Sequence, residues 1–304
     1  MINFTWHECK MLDTEFLESN PVYLTMPTDS DETFQIYFTA LRNLAEQNIP
    51  IAHSVNTSTS AKACLFSSTN PPHWEFANRT CPASFSVVKE YDTLNIRMDT
   101  KLVNGSKAWV STLATGEFGI FKFIGECKGL QSPHFLLEYT YKGTENFVEE
   151  YKNVCGPGMF QSGTGEFYLK DYTVEPVFHL FASDPVKALP LNKALALMVP
   201  TILYGGCIRL VNELEIKTAE LNKLTNDWQR IVDSGLTFNL SKDYKALDEQ
   251  ISDFYYKVKQ LLADLCGTII QNSLVKFYNP ETELGKYFYD SMVYSTHKNS
   301  NLFR

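Results

Sequence analysis

The side chains that could take part in chemistry are scattered along this 304-residue chain. No nucleophile-elbow, P-loop, dinucleotide-binding or kinase motif is present. Glu213 and Glu215 stand two residues apart and would point away from each other on a helix, so paired-acid chemistry is not expected there. The 7 cysteines and 6 histidines form no C-x-x-C pair or other closely spaced ligand set, and no metal site is predicted. The sequence therefore contains no self-sufficient catalytic signature.

Three single side chains remain as candidates, and each has an ordinary structural alternative. His297 is of the side-chain type whose pKa of about 6.5 permits either protonation state near neutrality, but it could equally be a polar residue of a C-terminal segment. Arg209 could approach a phosphate from a long helix, or be an exposed arginine. Trp109 could form a platform for a cofactor, or pack on a sheet with its indole N–H satisfied.

Composition limits the class of protein. The hydrophobic share of 44% and the charged share of 20% are near globular averages, and the length allows one large or two modest domains. The net charge of −8 without a long basic run argues against nucleic acid as a partner. The longest apolar run, residues 194–204, falls short of the roughly 20 residues that cross a bilayer, so no membrane association is expected. Scattered cysteines, odd in number, are typical of reduced thiols, and we expect a cytoplasmic protein.

Apolar residues recur with a helical period in both the N-terminal and the C-terminal parts of the chain. In residues 29–48, capping residues precede apolar residues at three- and four-residue spacings, which predicts an amphipathic helix, and residues 52–65 predict a second. Two apolar stripes, in residues 191–214 and 247–265, predict long helices of a bundle. A last helix is predicted after Pro280.

The middle of the chain has a hydrophobic period of two. From residue 83 to residue 176, Gly, Pro and Asn separate short alternating runs, as in antiparallel strands with tight turns. Asn104-Gly105 predicts a two-residue turn that joins a strand at 97–103 to one at 106–111. The glycine cluster at 156–165 predicts a pair of turns rather than a phosphate cradle, which would normally open a helix.

Three local sequences within this helix, strand, helix order resemble the acyl-CoA dehydrogenase superfamily. Residues 103–111, V-N-G-S-K-A-W-V-S, are similar to that family's N-G-x-K-x-W-I-T/S hairpin. Residues 163–176 resemble the strand that leaves its β-domain, and residues 287–290 followed by His297 resemble its last bundle helix. The resemblance covers roughly residues 34–303 and implies an α+β, acyl-CoA dehydrogenase-like fold. Its three parts would be a shortened helical N-terminal region (1–82), a central antiparallel β-domain (83–178) and a C-terminal helical bundle (179–304).

The resemblance also implies roles for the candidate residues. Trp109 would pack beside the ring of a flavin, FAD or FMN, and Ser111 would hydrogen-bond its N5 edge. Arg209, which no family motif includes, could approach the phosphate or the flavin from its long helix. A histidine seven residues after the helix Asp is similar to the flavin-dependent monooxygenase branch, which takes reduced flavin from a partner reductase. His297 would then be the catalytic base.

The sequence departs from the family pattern in three places. The T-E-P-x-x-G-S-D loop has no counterpart, since residues 66–74 read F-S-S-T-N-P-P-H-W. No glycine pair precedes the last helix, where residues 277–280 read F-Y-N-P. Residues 295–301 contain no acid, which disfavours an ordinary acyl-CoA dehydrogenase because that reaction needs a carboxylate to remove an α-proton.

Two functions follow as hypotheses. The first is a flavin-dependent oxidoreductase, resembling a two-component monooxygenase or a dehydrogenase, that acts on a small organic or carrier-bound acyl substrate. The second is a non-catalytic binding or scaffold subunit that has lost its flavin and pairs with a related subunit. The long apolar stripes also predict a homo-oligomer, because one short N-terminal region gives them little cover.

Overall fold

A computed structural model describes residues 11–68, 74–86, 93–97, 99–122, 134–150, 158–173, 180–181, 184–216, 218–234 and 244–296. The chain divides into two compact units. The first, called here the β-unit, comprises Met1–Asn20, Thr57–Val154 and Phe160–Ala188. The second, called the helical unit, comprises Pro21–Asn56, Cys155–Met159 and Leu189–Arg304.

Described α-helices cover each of the predicted helical segments. They are α1 (Thr14–Ser19), α2 (Asp31–Gln47), α3 (Ile49–Phe66), α4 (Trp74–Ala77), α5 (Pro185–Leu214), α6 (Ala219–Asp233), α7 (Tyr244–Gln271) and α8 (Glu283–Ser295). Ser30 caps α2 by accepting a hydrogen bond from the backbone N–H of Thr33 at 3.0 Å. Thr282 caps α8 in the same way through Gly285, at 3.1 Å. The sequence analysis missed α1, α4 and α6.

Two four-stranded sheets lie in the β-unit. Their strands are β1 (Ala83–Ser86), β2 (Asn95–Arg97), β3 (Leu102–Val110), β4 (Phe118–Lys122), β5 (His134–Glu138), β6 (Phe147–Glu150), β7 (Gly165–Thr173) and β8 (Leu180–Phe181). The strand orders are β1-β4-β5-β8 and β2-β3-β7-β6. The β-domain is not wholly antiparallel as predicted, because β1 pairs with β4 in parallel.

The first of these sheets is buried on both faces. Phe121 and Phe135 point toward the second sheet, where Phe121 meets Phe167 with ring centroids 5.0 Å apart. Ile120 and Leu136 point the other way and pack with residues of α3 and α4. Strands β4 and β5 therefore read as nearly continuous apolar runs, whereas β7 keeps its alternation.

The predicted turn at Asn104-Gly105 is wrong. Strand β3 runs straight through these residues, and the chain reverses earlier, at residues 99–101, between β2 and β3. Gly105 instead lies at a register shift with a φ of +111°. An added Cβ there would lie 2.3 Å from the carbonyl oxygen of Thr93, so the glycine permits a bulge and a close backbone approach.

Helix α5 forms the centre of the helical unit. Its Tyr204 ring packs against Trp228 of α6 and Phe254 of α7, with centroids 5.7 and 5.9 Å away. At Gly205, an added Cβ would lie 2.7 Å from the Cβ of Ala45, so this glycine lets α2 cross α5 closely. Both predicted apolar stripes are buried within the protein. They do not by themselves require a partner, and the homo-oligomer stays a prediction.

One described helical segment is long and apolar enough to cross a membrane, by length and composition alone. It is Lys187–Leu214, which extends beyond the short apolar run counted in the sequence. The buried share of its most apolar stretch is 89%, as is usual for the core helix of a soluble protein.

Candidate functional site

Trp109 lies near the end of β3 in an unusual backbone conformation. Its φ is +59°, in the left-handed region that side chains other than glycine rarely adopt. The register between β3 and β7 also shifts between Lys107 and Val110. The indole is 39% exposed, although the neighbouring Ala108 and Val110 are buried. A strained residue that presents a large aromatic ring to its surroundings is characteristic of functional sites.

A second strained residue follows three positions later. Thr112 is fully buried with a φ of +59°, a rare conformation for a β-branched residue. Its backbone N–H donates to the Ser162 carbonyl at 2.8 Å, and its hydroxyl donates to the Ala83 carbonyl at 2.8 Å. The Ser84 hydroxyl oxygen lies 3.0 Å from the Thr112 hydroxyl oxygen. The backbone of Ser111 is thus set between two left-handed residues, each fixed by its neighbours.

The hydroxyl of Ser111 belongs to a short chain of hydroxyl groups. Thr164 Oγ1 donates to Ser111 Oγ over 3.4 Å, and Ser162 Oγ lies 2.7 Å from Thr164 Oγ1. All three residues are buried, and Val110 pairs with Gly165 beside them. The sequence analysis read residues 156–165 only as turns and missed Ser162 and Thr164. The signal that could have found them is the S-x-T spacing directly before an alternating strand.

Arg209 contacts protein groups on three sides within the helical unit. Its guanidinium donates to the carbonyl of Gln47 at 3.1 Å, at the end of α2, and to Glu283 at 2.9 Å, in the first turn of α8. It also lies over the Tyr287 ring, 4.4 Å from the centroid. The side chain is 16% exposed, so Arg209 is not the exposed arginine of the simpler alternative. Its role in cofactor binding stays a prediction that these contacts do not favour.

We expect Arg209→Met to lower the free energy of unfolding by about 1.5–3 kcal/mol, because charged hydrogen bonds to a helix end and to a carboxylate are lost. Urea unfolding measures this. Arg230→Met is the matched control, since Arg230 is 65% exposed and pairs with Asp227 only one turn away, and it should change little. If Arg209→Met instead took up less flavin and kept the wild-type free energy of unfolding, a role of Arg209 in cofactor binding would be supported.

Asp290 is a buried carboxyl that the sequence analysis had noted only as part of a motif. It is 7% exposed on α8, and its Oδ1 accepts a hydrogen bond of 2.5 Å from the backbone N–H of Met159. Burial raises the pKa of Asp290 to about 7, although the Met159 N–H and the Lys286 ammonium favour the charged form. The carboxyl therefore titrates near neutrality within the helical unit.

The structure brings together only part of the predicted site. Trp109 and Ser111 lie two residues apart in the β-unit, and Arg209 belongs to the helical unit. His297 lies outside the described residues, as does most of the segment 66–74 that stands where the family has its T-E-P loop.

The groups around Trp109 and Ser111 fit the ring system of a flavin. Such a ring needs a flat apolar surface against one face and polar partners along its edge. The exposed Trp109 indole supplies the flat apolar surface, and the Ser111 hydroxyl supplies a polar partner for the edge. These residues would hold the ring, but none of them identifies a site for the phosphate.

Comparisons with known proteins address the fold. No family model matches this chain, and no curated protein matches it in sequence. Among solved structures, it is similar to 3-HSA hydroxylase from Rhodococcus sp. RHA1, with a TM-score of 0.66 and 13% identity over 95% of this chain and 86% of that one. It is also similar to dibenzothiophene monooxygenase from Paenibacillus sp. A11-2, with a TM-score of 0.62 and 11% identity over 94% of this chain and 92% of that one.

A dehydrogenase gives a similar result. The glutaryl-coenzyme A dehydrogenase in complex with glutaryl-CoA has a TM-score of 0.65 and 13% identity, over 92% of this chain and 78% of that one. These likenesses agree with the helix, strand, helix order and the two sheets described above. The protein therefore has the acyl-CoA dehydrogenase-like fold, which it shares with monooxygenases and dehydrogenases of very different sequence.

Proposed function

We propose that this protein binds a flavin, FAD or FMN, against Trp109 and Ser111 and acts as a flavin-dependent oxidoreductase of the two-component monooxygenase kind. Its substrate is a small organic or carrier-bound acyl compound. A separate reductase supplies the reduced flavin. The observation that carries the proposal is the partly exposed indole of Trp109, held in a strained backbone two residues before Ser111 and its hydroxyl chain.

The solved structures support the choice of cofactor and partner. They include a hydroxylase, a dibenzothiophene monooxygenase and an electron transferring flavoprotein of Acidaminococcus fermentans, the last with a TM-score of 0.65 and 12% identity. The lack of an acid in residues 295–301 also favours oxygenation over removal of an α-proton.

Each residue of the site has a separate task. The bound flavin would supply two-electron and oxygen chemistry. The Trp109 indole holds one face of the ring and excludes water from it. Ser111 holds the ring edge through its hydroxyl. His297 accepts the substrate proton, which a neutral imidazole can do near pH 7.

We expect Trp109→Ala to weaken flavin binding about 10- to 100-fold, because stacking of an aromatic side chain on a planar ring system contributes about 1–3 kcal/mol. Flavin fluorescence titration, with FAD and FMN in both oxidised and reduced forms, gives the dissociation constants. Trp109→Phe retains an aromatic face and should lose much less.

Tyr168→Ala is the control for this experiment. Tyr168 is another exposed aromatic residue of the β-unit, 47% exposed on β7, and is not part of the proposed site. It should bind flavin as the wild type does. Equal losses in the two alanine variants, or no loss in Trp109→Ala, would place the flavin elsewhere.

The second candidate function is a non-catalytic scaffold subunit. The missing T-E-P-x-x-G-S-D loop and the engagement of Arg209 by protein groups both favour it. The same titration separates the two candidates, because wild-type protein that takes up neither FAD nor FMN at millimolar concentration would leave only the scaffold.

A further inference from the structure

Every polar group of Thr112 is engaged by a neighbouring part of the β-unit. Its backbone N–H donates to the Ser162 carbonyl at 2.8 Å, and its own carbonyl accepts the N–H of Gly116 at 2.7 Å. Its hydroxyl donates to the Ala83 carbonyl at 2.8 Å, and the Ser84 hydroxyl oxygen lies 3.0 Å from it. Residues of β1 and of the chain before β7 therefore fix the backbone where β3 has ended.

These contacts hold Thr112 in a conformation that a β-branched residue rarely adopts. Its φ is +59°, and such residues persist only where the surrounding structure determines them. The chain also packs closely here, since a Cβ added at Gly116 would lie 2.8 Å from the Thr112 carbonyl oxygen. The backbone at Thr112 is thus held by its neighbours against its local preference.

Trp109 depends on this fixed residue because regular strand pairing around the indole is interrupted. Pairing of β3 with β7 shifts register after Lys107 and resumes for one pair, Val110 with Gly165, at the first residue of β7. Trp109 lies in this interruption with a φ of +59°. Beyond Val110 the backbone of this segment is tied down by the hydrogen bonds of Thr112.

We propose that Thr112 is a positioning residue that holds the Trp109 indole in the orientation in which it meets the flavin ring. This inference rests on the proposed function. Thr112 acts through the backbone, because its side chain is fully buried and bonded to β1. An indole that is already oriented loses less freedom when the flavin binds, which raises the affinity. Without the Thr112 hydroxyl, the backbone can leave the left-handed region, and the indole also adopts orientations that do not stack on the ring.

The test is Thr112→Val, which keeps the branched shape of the side chain and removes its hydroxyl. In a fluorescence titration, the dissociation constant for flavin should rise about three- to tenfold. An indole that stacks on the ring quenches flavin fluorescence, so bound flavin should also be brighter in Thr112→Val than in the wild type. A loss of stability alone would leave this brightness unchanged. Thr112→Ser keeps the hydroxyl and should restore both the affinity and the quenching.

A double-mutant cycle determines whether Thr112 acts through Trp109. In the Trp109→Ala background, Thr112→Val should weaken flavin binding by less than about twofold, because no indole is left to position. Equal factors in both backgrounds would overturn this inference alone, as would a Thr112→Val protein with the wild-type affinity and quenching. Wild-type protein that takes up no flavin would overturn the proposed function and this inference with it.

Thr115→Val is the matched control. The Thr115 hydroxyl also donates to a backbone carbonyl, that of Leu12 at 2.5 Å, but the φ of Thr115 is not positive. Its removal should leave flavin affinity unchanged, and a loss equal to that of Thr112→Val would assign the effect to stability and overturn the inference. If Thr112→Val does not fold, Ser84→Ala removes one contact of the Thr112 hydroxyl and should raise the dissociation constant about twofold. Wild-type affinity and quenching in Ser84→Ala would then count against the inference.

Discussion

Replacing Asp290 by Asn is expected to stabilise the protein by about 3 kcal/mol more at pH 8 than at pH 5. Burial raises the pKa of Asp290 from the ordinary 3.8 to about 7. Between these values the unfolded chain is ionised while the folded protein stays protonated, so stability falls by about 1.4 kcal/mol for each unit of rising pH. Above pH 7 both states are ionised and the full penalty persists. Asparagine stays neutral and its oxygen can still accept the Met159 N–H.

Urea unfolding of both proteins at the two pH values checks this result. Among the described groups, the Met159 N–H and the Lys286 ammonium both favour the charged form of Asp290, and burial outweighs them. Asp253→Asn is the control, because Asp253 is 61% exposed on α7 and pairs with Lys257 at the surface. The free energy of unfolding of Asp253→Asn should differ from that of the wild type by the same small amount at both pH values. If the difference between Asp290→Asn and the wild type were also the same at pH 5 and pH 8, the Asp290 carboxyl would be ionised in the folded protein at both pH values.

His297→Ala is expected to reduce turnover by about 10²–10⁴-fold while flavin affinity stays unchanged, because a general base contributes about that much to a rate. The measurement is oxygen consumption with reduced flavin and a panel of aromatic and acyl-thioester substrates. The wild-type rate should fall at low pH, as the imidazole becomes protonated.

Thr296→Ala provides the comparison for His297. Thr296 is the exposed residue that follows α8, and its hydroxyl donates to the carbonyl of Val293 at 2.7 Å. It should turn over normally. A His297→Ala enzyme with the wild-type rate would remove the catalytic base from the proposal, and a wild type without turnover on any substrate would favour the scaffold subunit.

Periodicity alone predicted most of the helices, because an amphipathic stripe and its capping residues are local. Helix α2 begins after the predicted type of cap, and α5 and α7 contain the two long stripes. Helix α6 was missed although it carries the same local signal, a Thr218 cap followed by an apolar stripe that includes Leu224, Trp228 and Ile231.

The strand predictions failed where a local signal had a second physical meaning. Asn104-Gly105 has the composition of a tight turn, but a positive φ is also what a bulge needs. The choice between them depends on the Thr93 backbone, which lies directly over Gly105 and belongs to another segment. The parallel pairing of β1 with β4 likewise depends on contacts between residues more than thirty positions apart.

The sequence by itself determined the order of helical and strand regions, the residues that form the apolar core, and the presence of Trp109 and Ser111 two positions apart. Each of these depends on residue type and spacing along one segment. Only the tertiary structure showed that Trp109 is strained and half exposed, that Thr164 donates to Ser111, that Arg209 caps a helix end, and that the Asp290 carboxyl is buried. Those properties depend on backbone conformation and on which distant groups replace water around a side chain, and residue spacing carries no information about either.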